Sequence, residues 1–238
     1  MSDSLGVLAL TAASIGFIHT LIGPDHYIPF IMMQRARGWS RARTLWITAV
    51  SGIGHVVGSI VLGAVGIGFG LALQQLELVE SVRGELAAWA LIAFGLLYTA
   101  WGIRRAVRKH PHAHTHEHAD GTRHAHDHTH AAAHAHVHDA PGSTRSITAW
   151  TLFTIFVLGP CEPLIPVLMY PAAVASVWGV VLVAGIFSLV TIATMITMVL
   201  VVGAGIERIP TGAIERWTHA MAGGIIAASG LAIQVLGV

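Results

Sequence analysis

Long apolar stretches separated by short polar ones dominate the pattern of this chain. A membrane-spanning helix needs roughly 20 predominantly apolar residues. Six stretches reach that length, at about residues 5–33, 43–75, 84–103, 147–170, 174–203 and 213–236. The pattern therefore predicts an all-α membrane protein with six transmembrane helices.

Two of these stretches contain helix breakers, the first at Gly23-Pro24 and the fourth at Gly159-Pro160. Proline lacks the backbone N–H and clashes with the preceding turn, so we expect the first and fourth helices to be broken there. The breaks stand in similar local sequence, IGPDH and LGPCE, 136 residues apart. With three helices in each half, the two copies would enter the membrane from opposite sides. This faint repeat predicts two inverted three-helix halves.

Charge divides the chain into three parts and orients it. Of the 13 Lys and Arg residues, 12 lie in three alternate connections, around residues 35–43, 104–145 and 208–216. Cytoplasmic connections carry an excess of such residues, so we expect these three inside and both termini outside. The predicted parts are a first half at 1–103, a histidine-rich disordered cytoplasmic loop at 104–146, and a second half at 147–238. We expect the bacterial inner (plasma) membrane as the location.

Composition narrows the function classes. The 238 residues are 54% hydrophobic and only 11% charged, with a mean hydropathy of +0.69. A soluble domain has about 25% charged residues. We therefore expect a partner in the lipid bilayer and none in nucleic acid, no enzymatic activity and no permanent cofactor. The single cysteine, Cys161, allows no disulfide within the chain.

The loop at 104–146 has a different composition from the rest of the chain. It holds 12 of the 16 histidines, and such low-complexity polar sequence cannot bury a core. Neutral imidazole is the commonest protein ligand for transition metals, so the loop is predicted to capture metal ions. An inert spacer is the alternative. The predicted ligands are His112, His114, His116, His118, His124, His126, His128, His130, His134, His136 and His138.

Ionisable side chains inside the apolar stretches are the candidate site. Each costs roughly 2.5–3.5 kcal/mol on insertion scales, so each is a functional hypothesis by default. We predict His19, Asp25, His26 and His55 as metal ligands. Cys161 and Glu162 follow the second break and are predicted to face them or to serve in coupling.

The spacing of the first two histidines shows why the break matters. On a regular helix His19 and His26 would lie on one face but about 10.5 Å apart, too far for one ion. A break at Gly23-Pro24 would let the two side chains converge, as in the discontinuous helices of secondary transporters. The alternative is that the histidines only pack, each with its own hydrogen bond.

The motifs HTLIGPDH, SGIGH and LGPCEP, together with the loop, resemble the nickel/cobalt transporter superfamily, including its efflux branch and the related urease-accessory-type and sulfite-exporter-like proteins. The resemblance implies that His19, Asp25 and His26 match the family's metal-recognition motif and that His55 matches its second-helix histidine. The family's motif has four residues between histidine and Asp-His, and this chain has five.

The resulting functional hypothesis is a secondary transporter of divalent transition-metal cations, with Ni²⁺ or Co²⁺ first and Zn²⁺ a further candidate, as substrate. The cytoplasmic loop slightly favours efflux. Alternatives are a non-transporting membrane accessory or metal-delivery protein for metalloenzyme maturation, an anion exporter of the sulfite type, and a thiol carrier using Cys161. A metallochaperone partner and self-association both stay open.

Overall fold

The computed structural model describes residues 2–70, 72–108, 112–117, 123–128, 143–159, 161, 163–173, 176–208 and 212–236. The helices are α1 (Ser2–Ile22), α2 (Ile28–Arg37), α3 (Arg41–Gly68), α4 (Leu73–Arg108), α5 (Ser143–Leu158), α6 (Leu164–Ala173), α7 (Val177–Glu207) and α8 (Thr218–Leu236). Short 3₁₀ turns lie at Pro24–His26 and Gly212–Trp217. The apolar part of the described chain is thus entirely helical.

Each Gly-Pro position separates two helices, α1 from α2 and α5 from α6. The chain leaves α1 at Gly23, whose φ of −74° and ψ of 101° are extended, and passes through one 3₁₀ turn into α2. In the second half α5 ends at Leu158 and α6 begins at Leu164. In both places the chain loses regular hydrogen bonds in the middle of an apolar stretch. The backbone groups freed there need other partners.

Length and composition place the chain in a membrane. Five described helical segments are long and apolar enough to cross a bilayer: Leu5–Ile22, Arg41–Gly68, Leu73–Arg108, Val177–Glu207 and Glu215–Val235. Their outward faces carry large apolar side chains, such as Leu97 at 73% exposure and Trp178 at 82%. Such faces suit lipid rather than water. The protein is an integral membrane protein.

Helix α4 begins earlier than its hydropathy predicts. The apolar stretch starts at about residue 84, but the helix starts at Leu73. The intervening turns contain Glu80 and Arg83, which form an ion pair against α3. Since two paired charges are far less costly in an apolar setting than two separate ones, the hydropathy pattern underestimates this helix.

Glycines allow a close contact between α4 and α8. A Cβ added at Gly95 would overlap the backbone of Ala227, and one at Gly102 would overlap that of Ala220. Small residues of this kind let helices approach closely in lipid, where packing rather than hydrophobicity holds them together. Elsewhere α1 packs on α7, and α3 packs on α5 and α7.

The bundle contains two buried clusters of apolar side chains. The first includes Phe30, Leu152 and Phe156, and the second includes Val56 and Cys161. Helix α7 contributes to both clusters, with Met195 in the first and Val183 in the second. Phe156 of the first cluster contacts the rings of His26 and His55.

Part of the histidine-rich segment forms an antiparallel ribbon rather than the irregular chain that its composition predicts. Strand β1 is His112–Glu117 and strand β2 is Arg123–His128, with His112 opposite His128, His114 opposite His126 and His116 opposite His124. The alternation of histidine with other residues has the period of a strand, which accounts for the difference. The segment between helices is also shorter than predicted, because α4 reaches Arg108 and α5 starts at Ser143.

Candidate metal centre

Three histidines from three elements meet inside the helix bundle. His19 lies in the last turn of α1, His26 closes the 3₁₀ turn, and His55 lies midway along α3. Their ring centroids are 4.7 Å apart for His19 and His26, 5.3 Å for His26 and His55, and 6.4 Å for His19 and His55. Because the helix is broken after Ile22, His19 and His26 are not held at the roughly 10.5 Å separation of a regular helix.

The ring nitrogens converge on one point. One ligand atom from each of His19, His26 and His55 lies within 4.8 Å of the others. The Nε2 atom of each ring is buried and has no hydrogen-bond partner among the residues that the structure describes. Buried polar atoms are normally satisfied, so three unpartnered nitrogens on three converging rings require an explanation. A metal ion bound between the rings would supply one.

The Nδ1 atoms of His26 and His55 each lie within hydrogen-bonding distance of an acceptor. His26 Nδ1 lies 3.0 Å from Asp25 Oδ1 and 3.2 Å from the Gly23 carbonyl oxygen, both of which accept. His55 Nδ1 donates to the carbonyl oxygen of Phe156 at 3.3 Å. A proton on Nδ1 leaves the Nε2 lone pair free. Carboxylate or carbonyl partners of this kind fix the tautomer and orientation of metal-binding histidines.

Packing makes the arrangement rigid. His26 and His55 are each 2% exposed. The Phe156 ring lies edge-on to His26, with centroids 5.8 Å apart, and 5.3 Å from the His55 centroid. A Cβ at Gly23 would overlap the His26 ring and Asp25 Oδ1. Only glycine lets the backbone approach these side chains so closely.

A cavity of about 570 Å³ opens beside the histidines. Its lining is mostly apolar, and its polar members are His19, Asp25, His26, His55, Ser81, Glu85 and Gln234. Asp25 is the carboxylate nearest the rings, with its side chain 23% exposed. Three nitrogen ligands beside an open cavity leave room for a further, exchangeable ligand.

Of the two residues predicted for the second half, the structure describes Cys161, which does not join this group. Cys161 is fully buried and lies in the apolar cluster with Val56, outside the set of converging ligand atoms in the described chain. Glu162 lies outside the described residues. His219 lies elsewhere, near the start of α8, where its Nδ1 is 2.8 Å from the Tyr98 hydroxyl.

The predicted ligands of the loop are described only in part. The ribbon fixes the register of six of them, at 112, 114, 116, 124, 126 and 128. His118, His130, His134, His136 and His138 lie outside the described residues.

Sequence reasoning missed Glu80 and Arg83, which lie behind the second break. Arg83 donates to the carbonyls of Val157 and Gly159, and Glu80 accepts from the backbone N–H of Cys161. One signal was available. Arg83 is the single Lys or Arg that lies outside the three basic connections.

The fold and the site together define a polytopic helical membrane protein with a buried three-histidine centre at a helix break. Residues 28–232 match the family described as the cytochrome c biogenesis protein transmembrane region. The match covers most of the chain, and the protein belongs to that family. No curated protein and no solved structure matches the chain.

This family membership corrects two predictions. The resemblance to the nickel/cobalt transporter superfamily is wrong as an assignment, and the hypothesis of metal-cation transport fails with it. The family is linked instead to cytochrome c biogenesis and thiol-redox membrane proteins, and an accessory role fits it better. The physical reason is that HTLIGPDH and SGIGH describe a local cluster of histidines, and such a site can occur on unrelated frameworks.

Proposed function

We propose that this protein is a non-transporting membrane accessory protein of metalloprotein maturation. It holds one transition-metal ion at His19, His26 and His55 and passes that ion to a partner. Asp25 orients His26 and balances the charge of the ion. The bilayer, the ion and a metal-accepting protein are the partners that this function requires.

One observation carries the proposal. Three converging histidine rings each have a buried Nε2 atom without a hydrogen-bond partner in the described chain, while the Nδ1 atoms of His26 and His55 are occupied. Packing histidines would each satisfy their nitrogens separately, since an unsatisfied buried polar group costs about 1–3 kcal/mol. The arrangement favours a shared ion over three independent packing residues.

The ligand set suggests which kind of ion binds and how that ion could exchange a ligand. Three imidazoles suit borderline ions such as Zn²⁺, and an open fourth position is the usual feature of sites that exchange a ligand. The cavity beside the histidines would admit that ligand. In metal delivery, that fourth ligand would be a metal-binding side chain of the protein that receives the ion.

Family membership supports an accessory function. The cysteine content favours metal chemistry rather than thiol chemistry for that function. A thiol relay within one chain needs two cysteines that alternate between dithiol and disulfide. This chain has only Cys161, which is buried. Its contribution to cytochrome maturation is therefore assigned to the metal centre.

The proposal also includes an orientation in the membrane and a role for the histidine-rich segment. Six spans in two inverted halves, with α1 and α2 forming one broken span and α5 and α6 another, would place both breaks at similar depth. The histidine-rich segment would face the cytoplasm of a bacterial inner membrane. There it would collect metal ions for the three-histidine centre.

Metal binding and metal movement test the proposal separately. The background is a full-length variant in which the twelve histidines from His110 to His138 are alanine, here called the loop-silent variant. It should bind one Co²⁺ or Zn²⁺ per chain, and His55→Ala should abolish that binding. Absence of a tight site in the loop-silent variant would refute the metal centre. Proteoliposomes containing only this protein should show no more metal flux than empty vesicles, and sustained flux would refute the accessory role.

A further inference from the structure

A buried ion pair lies behind the second helix break. Glu80 is fully buried and Arg83, one turn further along α4, has a side-chain exposure of 20%. Arg83 Nη1 donates to Glu80 Oε1, and Ser59 of α3 donates to Glu80 Oε2 at 3.4 Å. Charged groups in an apolar bundle are expensive, so a function is expected of them.

The pair satisfies the backbone groups that the break releases. Arg83 Nη2 donates to the Val157 carbonyl at 3.1 Å and to the Gly159 carbonyl at 3.4 Å. Glu80 Oε2 accepts from the Cys161 N–H at 3.1 Å. The backbone groups of Val157, Gly159 and Cys161, within the segment 157–161, are thus held by the ion pair. In a membrane these groups have no water to bond instead.

The same segment orients the metal centre. The Phe156 carbonyl, directly before Val157, accepts the hydrogen bond from His55 Nδ1. The Phe156 ring also packs on His26 and His55. A movement of segment 157–161 would therefore move the acceptor and the ring that fix two of the three ligands.

We propose that Glu80 and Arg83 are positioning residues for the three-histidine centre, acting through the broken segment 157–161. This inference rests on the proposed metal centre. The pair touches no metal ligand directly, and its effect passes from Arg83 to Val157 and Gly159, and from Phe156 to His55.

Arginine is required here for its shape as well as its charge. One nitrogen of the planar guanidinium bonds Glu80 while the other reaches the two carbonyls. A lysine ammonium neutralises Glu80 but is a point charge that cannot span both sets of acceptors. Arg83→Lys therefore keeps the charge balance needed for folding and removes the hold on the backbone.

Two readouts test the inference in the loop-silent variant. Arg83→Lys should weaken Co²⁺ binding by about 10- to 100-fold, the range typical of second-shell changes, and should alter the Co²⁺ absorption spectrum. It should also increase maleimide labelling of Cys161, the single cysteine, in metal-free protein. Glu77→Gln, an exposed carboxylate on the same helix, is the matched control and should change neither.

The two readouts separate the possible failures. Unchanged Co²⁺ affinity in Arg83→Lys would overturn the positioning role, whether or not Cys161 labelling rises. If the parent protein binds no Co²⁺ but Arg83→Lys exposes Cys161, the proposed metal function fails while the hold on segment 157–161 stands. Should Arg83→Lys not fold, Ser59→Ala is the second variant, since it removes one bond to Glu80 and one from Arg83. It is expected to give a smaller shift in the same direction, and no shift would count against the proposal.

Discussion

The three-histidine centre and the histidine-rich segment use the same ligand chemistry but obtain their geometry in different ways. In the centre, each ring is held by buried neighbours, and the Nδ1 partners Asp25 and Phe156 are fixed by the fold. In the ribbon, the register alone places histidines opposite one another. The first arrangement would impose a geometry on a bound ion, whereas the second would provide many similar ligands.

The difference indicates a division of labour. Selection among transition metals depends on imposed geometry, since raw affinities follow a common order across sites. The packed centre would supply that geometry, and the histidine-rich segment would supply capacity. Tight binding should therefore follow changes in the bundle, and the number of bound ions should follow changes in the segment.

Removing a ligand should have the largest effect on this comparison. His26→Ala in the loop-silent variant deletes one of three converging nitrogens, and affinity should fall by more than about 100-fold, beyond the usual range of second-shell changes. Isothermal titration with Zn²⁺ measures it. His219→Ala, at a histidine bonded to Tyr98, should leave the affinity unchanged. Equal effects of the two substitutions would mean that the convergence of His19, His26 and His55 has no part in binding.

Removing a partner of a ligand should have the next largest effect. Asp25→Asn keeps the size of the side chain but loses the charge that orients the His26 ring and offsets that of the ion. The expected loss in Zn²⁺ affinity is about 10- to 100-fold. Glu77→Gln removes a carboxylate from an exposed position and provides the control. If Asp25→Asn binds Zn²⁺ as tightly as its parent, the carboxylate has no part in metal binding and stabilises only the local structure at the helix break.

Crowding the helix break should have a moderate effect. A methyl group at Gly23 would overlap both the His26 ring and Asp25, so Gly23→Ala should displace them and weaken Zn²⁺ binding by about tenfold, the lower end of second-shell effects. Gly6→Ala in α1 adds the same methyl group where nothing lies within 4 Å. Competition titration of the two variants side by side measures the difference. Equal affinities would argue that the backbone at Gly23 can yield without moving the ligands.

The pattern of apolar and polar residues predicts the membrane class and points to the three histidines that cluster in the structure. Apolar runs identify the long helices, and the cost of ionisable groups in lipid points to His19, His26 and His55, which the structure brings together. The Gly-Pro position explains how His19 and His26 can meet. These inferences succeed because they depend on local sequence and on the strong constraints of the bilayer.

Three features could not be read from the same pattern. Helix α4 starts eleven residues before its apolar stretch. The added turns contain Glu80 and Arg83, which form an ion pair across one turn. A hydropathy average counts them as two separate charges and therefore misses these turns. The role of Phe156 depends on a backbone carbonyl, which has no residue-type signature. Function was misassigned because short ligand motifs report a local site, whereas the family match rests on residues 28–232.

Removing the histidine-rich segment should have the smallest effect on the tight site. Deletion of residues 110–138 takes away the twelve histidines of that segment but none of the contacts that hold His19, His26 and His55. The described helices pack through α4 with α8 and α1 with α7, so folding should persist. The number of ions bound at high metal concentration, measured by elemental analysis, should fall to about one per chain, while the affinity of the remaining ion stays within about twofold, close to the usual scatter for changes remote from a site. A deletion that removed the tight site, or changed which ion occupies it, would mean that the segment contributes a ligand to the centre. Bundle and segment would then form one site, and the division between imposed geometry and ligand capacity would fail.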